Sequence, residues 1–117
     1  FGHAIGDQVL SEVARKLRET ILNHDRVFRV GGDEFIIFIE DVSKERKKEL
    51  ELTLEDINNT FAQRHEYQGF PLVSLSFGVV EKDENMTFED AYRRADKALY
   101  KVKATGGCGF EFYHEEK

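Results

Sequence analysis

Arg26-Val27-Phe28-Arg29-Val30-Gly31-Gly32-Asp33-Glu34-Phe35-Ile36-Ile37-Phe38-Ile39 is the stretch on which the fold turns. Two runs of strand-forming residues, Arg26 to Val30 and Phe35 to Ile39, flank a Gly-Gly pair, which predicts a tight β-hairpin. The second run is apolar at every position, so both of its faces need cover and it belongs centrally in a sheet. Gly31 and Gly32 have two readings. Glycines at a two-residue turn supply positive φ, and acidic residues beside a turn are common. The other reading is chemical: missing side chains let the backbone approach a ligand closely. On that reading, the adjacent carboxylates of Asp33 and Glu34 offer hard oxygens to Mg2+, an ion that takes carboxylates together with substrate phosphates.

Outward from the hairpin, the pattern is helical on both sides. Upstream, Val9, Leu10, Val13, Ala14, Leu17 and Ile21 fall on one helical stripe, with Asp7 placed to cap its start. Downstream, Ser43 can open a second helix that buries Leu50, Leu54, Ile57 and Phe61. The charged run Lys44-Glu45-Arg46-Lys47-Lys48-Glu49 on that helix reads as a solvated face. Leu72 to Val80 is a third strand, and Thr87-x-x-Asp90 is a capping-box pattern. The helix it opens should turn Phe88, Ala91, Ala95, Ala98, Leu99 and Val102 inward. Gly106-Gly107 stops that helix, and Gly109 to Tyr113 makes a last short strand. The order α-β-β-α-β-α-β predicts an α/β domain with helices packed on the faces of one sheet.

Composition narrows the function classes. The 117 residues suit one domain, and 40% hydrophobic content with ten Phe is that of a globular chain. A net charge of −6 argues against broad contact with nucleic acid. It is compatible with a small anionic ligand, because a metal ion can reverse the local field. The longest uncharged apolar run, Phe35 to Ile39, is far too short to span a bilayer. Cys108 is the lone cysteine and cannot form an internal disulfide, so a reducing, cytoplasmic setting is the expectation. Phe1-Gly2-His3 has neither the basic region nor the apolar stretch of a signal peptide. Its apolar start suggests a domain that begins upstream.

Arg29-Val30-Gly31-Gly32-Asp33-Glu34-Phe35 resembles the signature of GGDEF domains, the diguanylate cyclases. The likeness extends to Gly2-His3-x-x-Gly6-Asp7, Ser76-Phe77-Gly78-Val79 and Ala95-Asp96-x-Ala98-Leu99-Tyr100-x-x-Lys103. The resemblance implies a palm-like, mostly antiparallel central sheet of the nucleotidyl-cyclase kind. It implies condensation of two GTP molecules into cyclic di-GMP with release of pyrophosphate. Each GTP would be carried by one subunit of a face-to-face homodimer, with Mg2+ or Mn2+ as cofactor and a sensory domain upstream. No nucleic acid and no membrane contact are expected of this domain.

Site roles follow residue by residue. Asp33 matches a ligand of the catalytic metal and a candidate base for the ribose 3′-hydroxyl. Glu34 matches the second acidic position, with metal or site support as its role. Gly31 and Gly32 would pass close to the triphosphate. Asp7 matches the residue that reads guanine, whose ring N–H and amine a carboxylate can accept together. The other reading of Asp7 is the helix cap. His3 matches a position beside the guanine. Lys103 matches a lysine that holds the terminal phosphates, and its alternative is an exposed charge near a helix C-terminus. Asp96 reads as structural, kept for packing and hydrogen bonding.

The chain departs from the family pattern in three places. The opening strand with Asp-x-Asp-x-Phe-Lys is absent, so an open slot in the sheet and an inactive isolated chain are expected. Gly106-Gly107-Cys108 stands where Gly-Arg-Asn is usual, which puts Gly107 in place of a forked phosphate donor. The product-inhibition motif Arg-x-x-Asp reads Leu22-Asn23-His24-Asp25, so only Asp25 remains of that site. The leading expectation is a diguanylate cyclase domain. The alternative is a degenerate module that binds GTP or cyclic di-GMP as a regulatory sensor, and a purely structural dimerisation domain is a weaker third.

Overall fold

Phe35 to Ile39 lies inside a four-stranded sheet with helices on both faces, as its unbroken apolarity requires. The computed structural model describes residues 2–17, 25–31, 34–40, 43–69, 75–106 and 109–113, with residues 2–7, 9 and 10 described by backbone alone. The elements are α1 (Gly2–Leu17), β1 (Arg26–Arg29), β2 (Glu34–Ile39), α2 (Lys44–Gln68), β3 (Ser76–Glu81), α3 (Phe88–Ala104) and β4 (Gly109–Phe112). This is the predicted order, and it makes a palm-like α/β domain. The strands lie side by side in chain order.

β1 and β2 pair antiparallel, with Arg29 opposite Phe35. β2 and β3 pair parallel from Glu34↔Ser76 to Ile39↔Glu81, and β3 and β4 pair parallel from Ser76↔Gly109 to Val79↔Phe112. The sheet is therefore mixed rather than mostly antiparallel. The physical reason is that α2 and α3 are crossovers, each returning the chain to the same end before the next strand begins. The expected open slot is also missing. β2 and β3 bond directly to each other, which pairs the backbone groups that a gap would have left bare.

Side chains alternate across β2. Phe35, Ile37 and Ile39 join Val13, Leu17, Leu50, Leu54, Ile57, Phe61, Phe77 and Val79 on the face covered by α1 and α2. Phe35 and Phe77 stack there with centroids 5.5 Å apart. Ile36 and Phe38 point the other way, to Val80, Ala91, Ala95 and Leu99 under α3. Burying each such large apolar side chain contributes about 1.5–3 kcal/mol, so two-sided burial is what fixes β2 at the centre. Gly78 lets α3 settle on β3, because a Cβ there would lie 2.3 Å from the Ala95 carbonyl oxygen.

The predicted caps hold. Ser43 Oγ accepts from the Arg46 N–H at 3.2 Å, and Thr87 Oγ1 accepts from the Asp90 N–H at 3.1 Å. α2 ends on Gly69 at φ 68°, and Gly106 at φ 124° follows the end of α3. Lys16 bonds Asp56 at 2.8 Å and Arg64 pairs with Glu12, which ties α1 to α2.

Four local expectations give way. α1 begins at Gly2, so Asp7 lies within the helix and does not cap it. Arg46 is buried rather than solvated, because its position one turn before Leu50 puts it on the inward stripe. There it pairs with the buried carboxylate of Asp25, which also accepts from the Glu40 N–H at 3.2 Å. Phe88 is half exposed, since it caps the edge of the sheet against Phe28 and Phe38 instead of entering the core. Asp96 is exposed, one position past the buried Ala95, so packing does not explain it.

Candidate functional site

The candidate site is built at the end of the sheet where β2, β3 and β4 begin and α3 finishes. Parallel register sets Glu34, Ser76 and Gly109 side by side there. The last turn of α3 carries Lys103 to the same end. Lys103 Nζ lies 2.8 Å from Glu34 Oε1, with the Lys103 side chain about half exposed and that of Glu34 mostly buried. A cation in a final helical turn also complements the negative end of the helix dipole.

The hairpin connection is wider than a two-residue turn. Val30 and Gly31 both donate backbone N–H groups to the Glu34 carbonyl oxygen, at 2.9 and 3.4 Å. Arg29 Nε donates to the Gly31 carbonyl at 3.2 Å and braces the same corner. Gly31 is not among the positive-φ glycines, so its purpose is not turn conformation. Its purpose is space: a Cβ would lie 2.5 Å from Glu34 Oε2. Glu34 therefore rests its carboxylate in the hollow that Gly31 leaves, between that bare Cα and the Lys103 ammonium.

The other sequence-predicted residues divide by place. Gly32, Asp33, Leu22 and Gly107 lie outside the described residues. His3 and Asp7 are carried on α1, whose backbone runs as helix from Gly2. Asp25 is not offered to a ligand at the surface, because its side chain is 1% exposed and ion-paired with Arg46. Among the described residues, no group of three or more His, Cys, Asp or Glu side chains could hold a metal ion. Of the residues expected to bind a metal, Glu34 is the described member. A groove of about 430 Å3 lined by Arg15, Lys16, Leu52, Thr53 and Asp56 contains neither Glu34 nor Lys103. Among the described residues, no helix is long and apolar enough to cross a membrane.

Two features escaped sequence reasoning. The burial of Arg46 had a signal, since Arg46, Leu50, Leu54, Ile57 and Phe61 share one helical stripe. The contact between Glu34 and Lys103 had none, because it depends on where two crossovers deliver the chain.

Comparison with known proteins gives the family. Residues 1–108 match the family model described as diguanylate cyclase, GGDEF domain. The chain is 36% identical over 106 residues to diguanylate cyclase DgcS of Shewanella oneidensis, covering 91% of this chain and 34% of that protein. It is 34% identical over 108 residues to diguanylate cyclase DgcP of Pseudomonas aeruginosa, covering 91% of this chain and 16% of that protein. A third relative is the bifunctional diguanylate cyclase/cyclic di-GMP phosphodiesterase MucR of Pseudomonas aeruginosa. Identity there is 31% over 116 residues, covering 97% of this chain and 16% of that protein. The chain spans about a third or less of the length of these relatives. No solved structure matches it. With a family model matched over all but the last nine residues and the signature hairpin in place, the chain belongs to the GGDEF domain family.

Proposed function

We propose that this domain is the catalytic unit of a diguanylate cyclase, which condenses two GTP molecules into cyclic di-GMP and releases pyrophosphate. The observation that carries this reading is the meeting of Glu34 and Lys103. One comes from the signature hairpin and the other from the last helix, and together they offer a carboxylate for a cation and an ammonium for phosphate. Gly31 supports it, because its missing Cβ leaves the room in which the Glu34 carboxylate sits beside Lys103.

On this reading Asp7 accepts two hydrogen bonds from guanine, with His3 beside the base. Gly31 and Gly32 pass close to the triphosphate, and Lys103 holds its terminal phosphates. Asp33 takes the proton of the ribose 3′-hydroxyl as its oxygen attacks the α-phosphorus of the GTP held by a second subunit. Pyrophosphate leaves from that phosphorus, and a second, reciprocal attack closes the ring. Asp33 and Glu34 would hold Mg2+ or Mn2+, and the hard oxygens of Glu34 beside the bare Gly31 Cα suit such an ion. That ion would supply charge neutralisation at the phosphates and a lowered hydroxyl pKa. The partners are GTP, a second copy of the domain and a sensory domain in the same protein.

The test is to incubate the full-length protein with GTP and Mg2+ and to measure cyclic di-GMP and pyrophosphate. A second reading, a module that binds GTP or cyclic di-GMP and regulates a partner without turnover, is favoured by Gly107 in place of an arginine. Nucleotide binding without product would select it.

A further inference from the structure

We propose that Arg29 is a positioning residue for the signature hairpin, acting through its Nε–H on Gly31 and through Gly31 on Glu34, and not through its charge. This deepens the cyclase reading and rests on it, because a catalytic role for Glu34 belongs to that reading. Arg29 is the last residue of β1 and lies opposite Phe35, the neighbour of Glu34 in β2. From there its Nε donates to the Gly31 carbonyl oxygen at 3.2 Å. The Val30 and Gly31 N–H groups donate to the Glu34 carbonyl oxygen at 2.9 and 3.4 Å. Gly31 is thus held at both of its backbone polar groups, one by Arg29 and the other by Glu34.

A glycine needs such holding. Without a Cβ its backbone samples more conformations than that of any other residue. The same missing Cβ makes room for the Glu34 carboxylate, since a Cβ on Gly31 would stand 2.5 Å from Oε2. The residue beside the carboxylate is therefore also the one least able to keep its own place. A directional hydrogen bond supplies the restraint. Arg29 is exposed, so water screens its charge, and the oriented N–H is the part that can fix Gly31.

The test compares Arg29→Met and Arg29→Gln in the full-length protein. Met keeps an apolar stem without a donor, while Gln puts an uncharged amide N–H at the same place along the side chain as Nε. Losing one hydrogen bond should lower kcat for cyclic di-GMP formation about two- to tenfold in Arg29→Met, with KM for GTP unchanged. Arg29→Gln should keep the wild-type kcat. Without nucleotide, amide hydrogen exchange at Val30 and Gly31 should be faster in Arg29→Met and restored in Arg29→Gln, while the amides of the β1–β2 ladder stay as in wild type. Unchanged kcat or unchanged exchange in Arg29→Met overturns the proposal. So does an Arg29→Gln variant as slow as Arg29→Met, which assigns the effect to charge, and so does a raised KM, which places Arg29 on the nucleotide. A loosened ladder in Arg29→Met also overturns it, because Arg29 would then hold the strand pair rather than Gly31. Failure of the cyclase reading is a different result: wild-type protein makes no cyclic di-GMP from GTP while the exchange pattern holds.

Discussion

β3 and α3 touch backbone to backbone where Gly78 faces Ala95, leaving no room for a Cβ between them. The contact lies in the layer that holds Ile36 and Phe38 against Ala91, Ala95 and Leu99. Because α3 also carries Lys103, its seating on the sheet sets the distance to Glu34.

Gly78→Ala should lower stability by about 1–3 kcal/mol, the usual cost of forcing volume into a packed core. Chemical denaturation would show it as a lower midpoint with an unchanged slope. An unchanged midpoint would mean that α3 can lift from β3 without loss.

Arg46→Met should cost about 3–5 kcal/mol, because it strands the buried Asp25 carboxylate without its cation. Adding Asp25→Asn should cost less than the two single changes summed, as a double-mutant cycle would report. Simple additivity would mean that the pair is not a unit.

Cyclic di-GMP should inhibit turnover weakly. The resemblance assigns that site to an arginine and an aspartate, and here Leu22 has replaced one while Asp25 is committed to Arg46. Loss of charge-assisted contacts worth roughly 1.5–3 kcal/mol each weakens binding about tenfold or more. Submicromolar product inhibition of the full-length enzyme would contradict this.

Asp33→Ala should abolish cyclic di-GMP formation while shifting the melting temperature little, because truncating a small polar residue rarely costs much stability. Near-normal turnover would remove Asp33 from its metal and base roles.

Asp7→Asn should weaken GTP far more than ATP, by about 1–3 kcal/mol of lost guanine recognition. The helix-cap explanation no longer competes, since α1 begins at Gly2. Equal weakening of both nucleotides would count against guanine reading.

Much of the fold was legible because it is written in local patterns. Phe35 to Ile39 announced a two-sided strand, Ser43 and Thr87 announced helix starts, and Gly106 announced a stop. Strand direction was not legible, because it depends on how crossovers return the chain rather than on any strand's own residues. Arg46 was misplaced because a charged run reads as surface until a buried carboxylate elsewhere supplies its partner. At the site, Glu34 and Lys103 were each legible as members of motifs. Their direct contact was not, and neither was the use of Gly31 as a hollow for Glu34 rather than as a turn.

The parallel pairing of β2 with β3 also separates local contacts from distant ones. The β1–β2 hairpin is local and can form within about 1–10 μs. The ladder between β2 and β3 must wait until the whole of α2 has been folded back between them, a loop closure whose entropy cost comes before any contact offsets it. Lys103 lies on α3, beyond α2 and β3 in the chain, so its pair with Glu34 requires both crossovers to be in place. Any opening that lifts α3 from the sheet therefore parts Lys103 from Glu34, although the hydrogen bonds between β1 and β2 are made without α3.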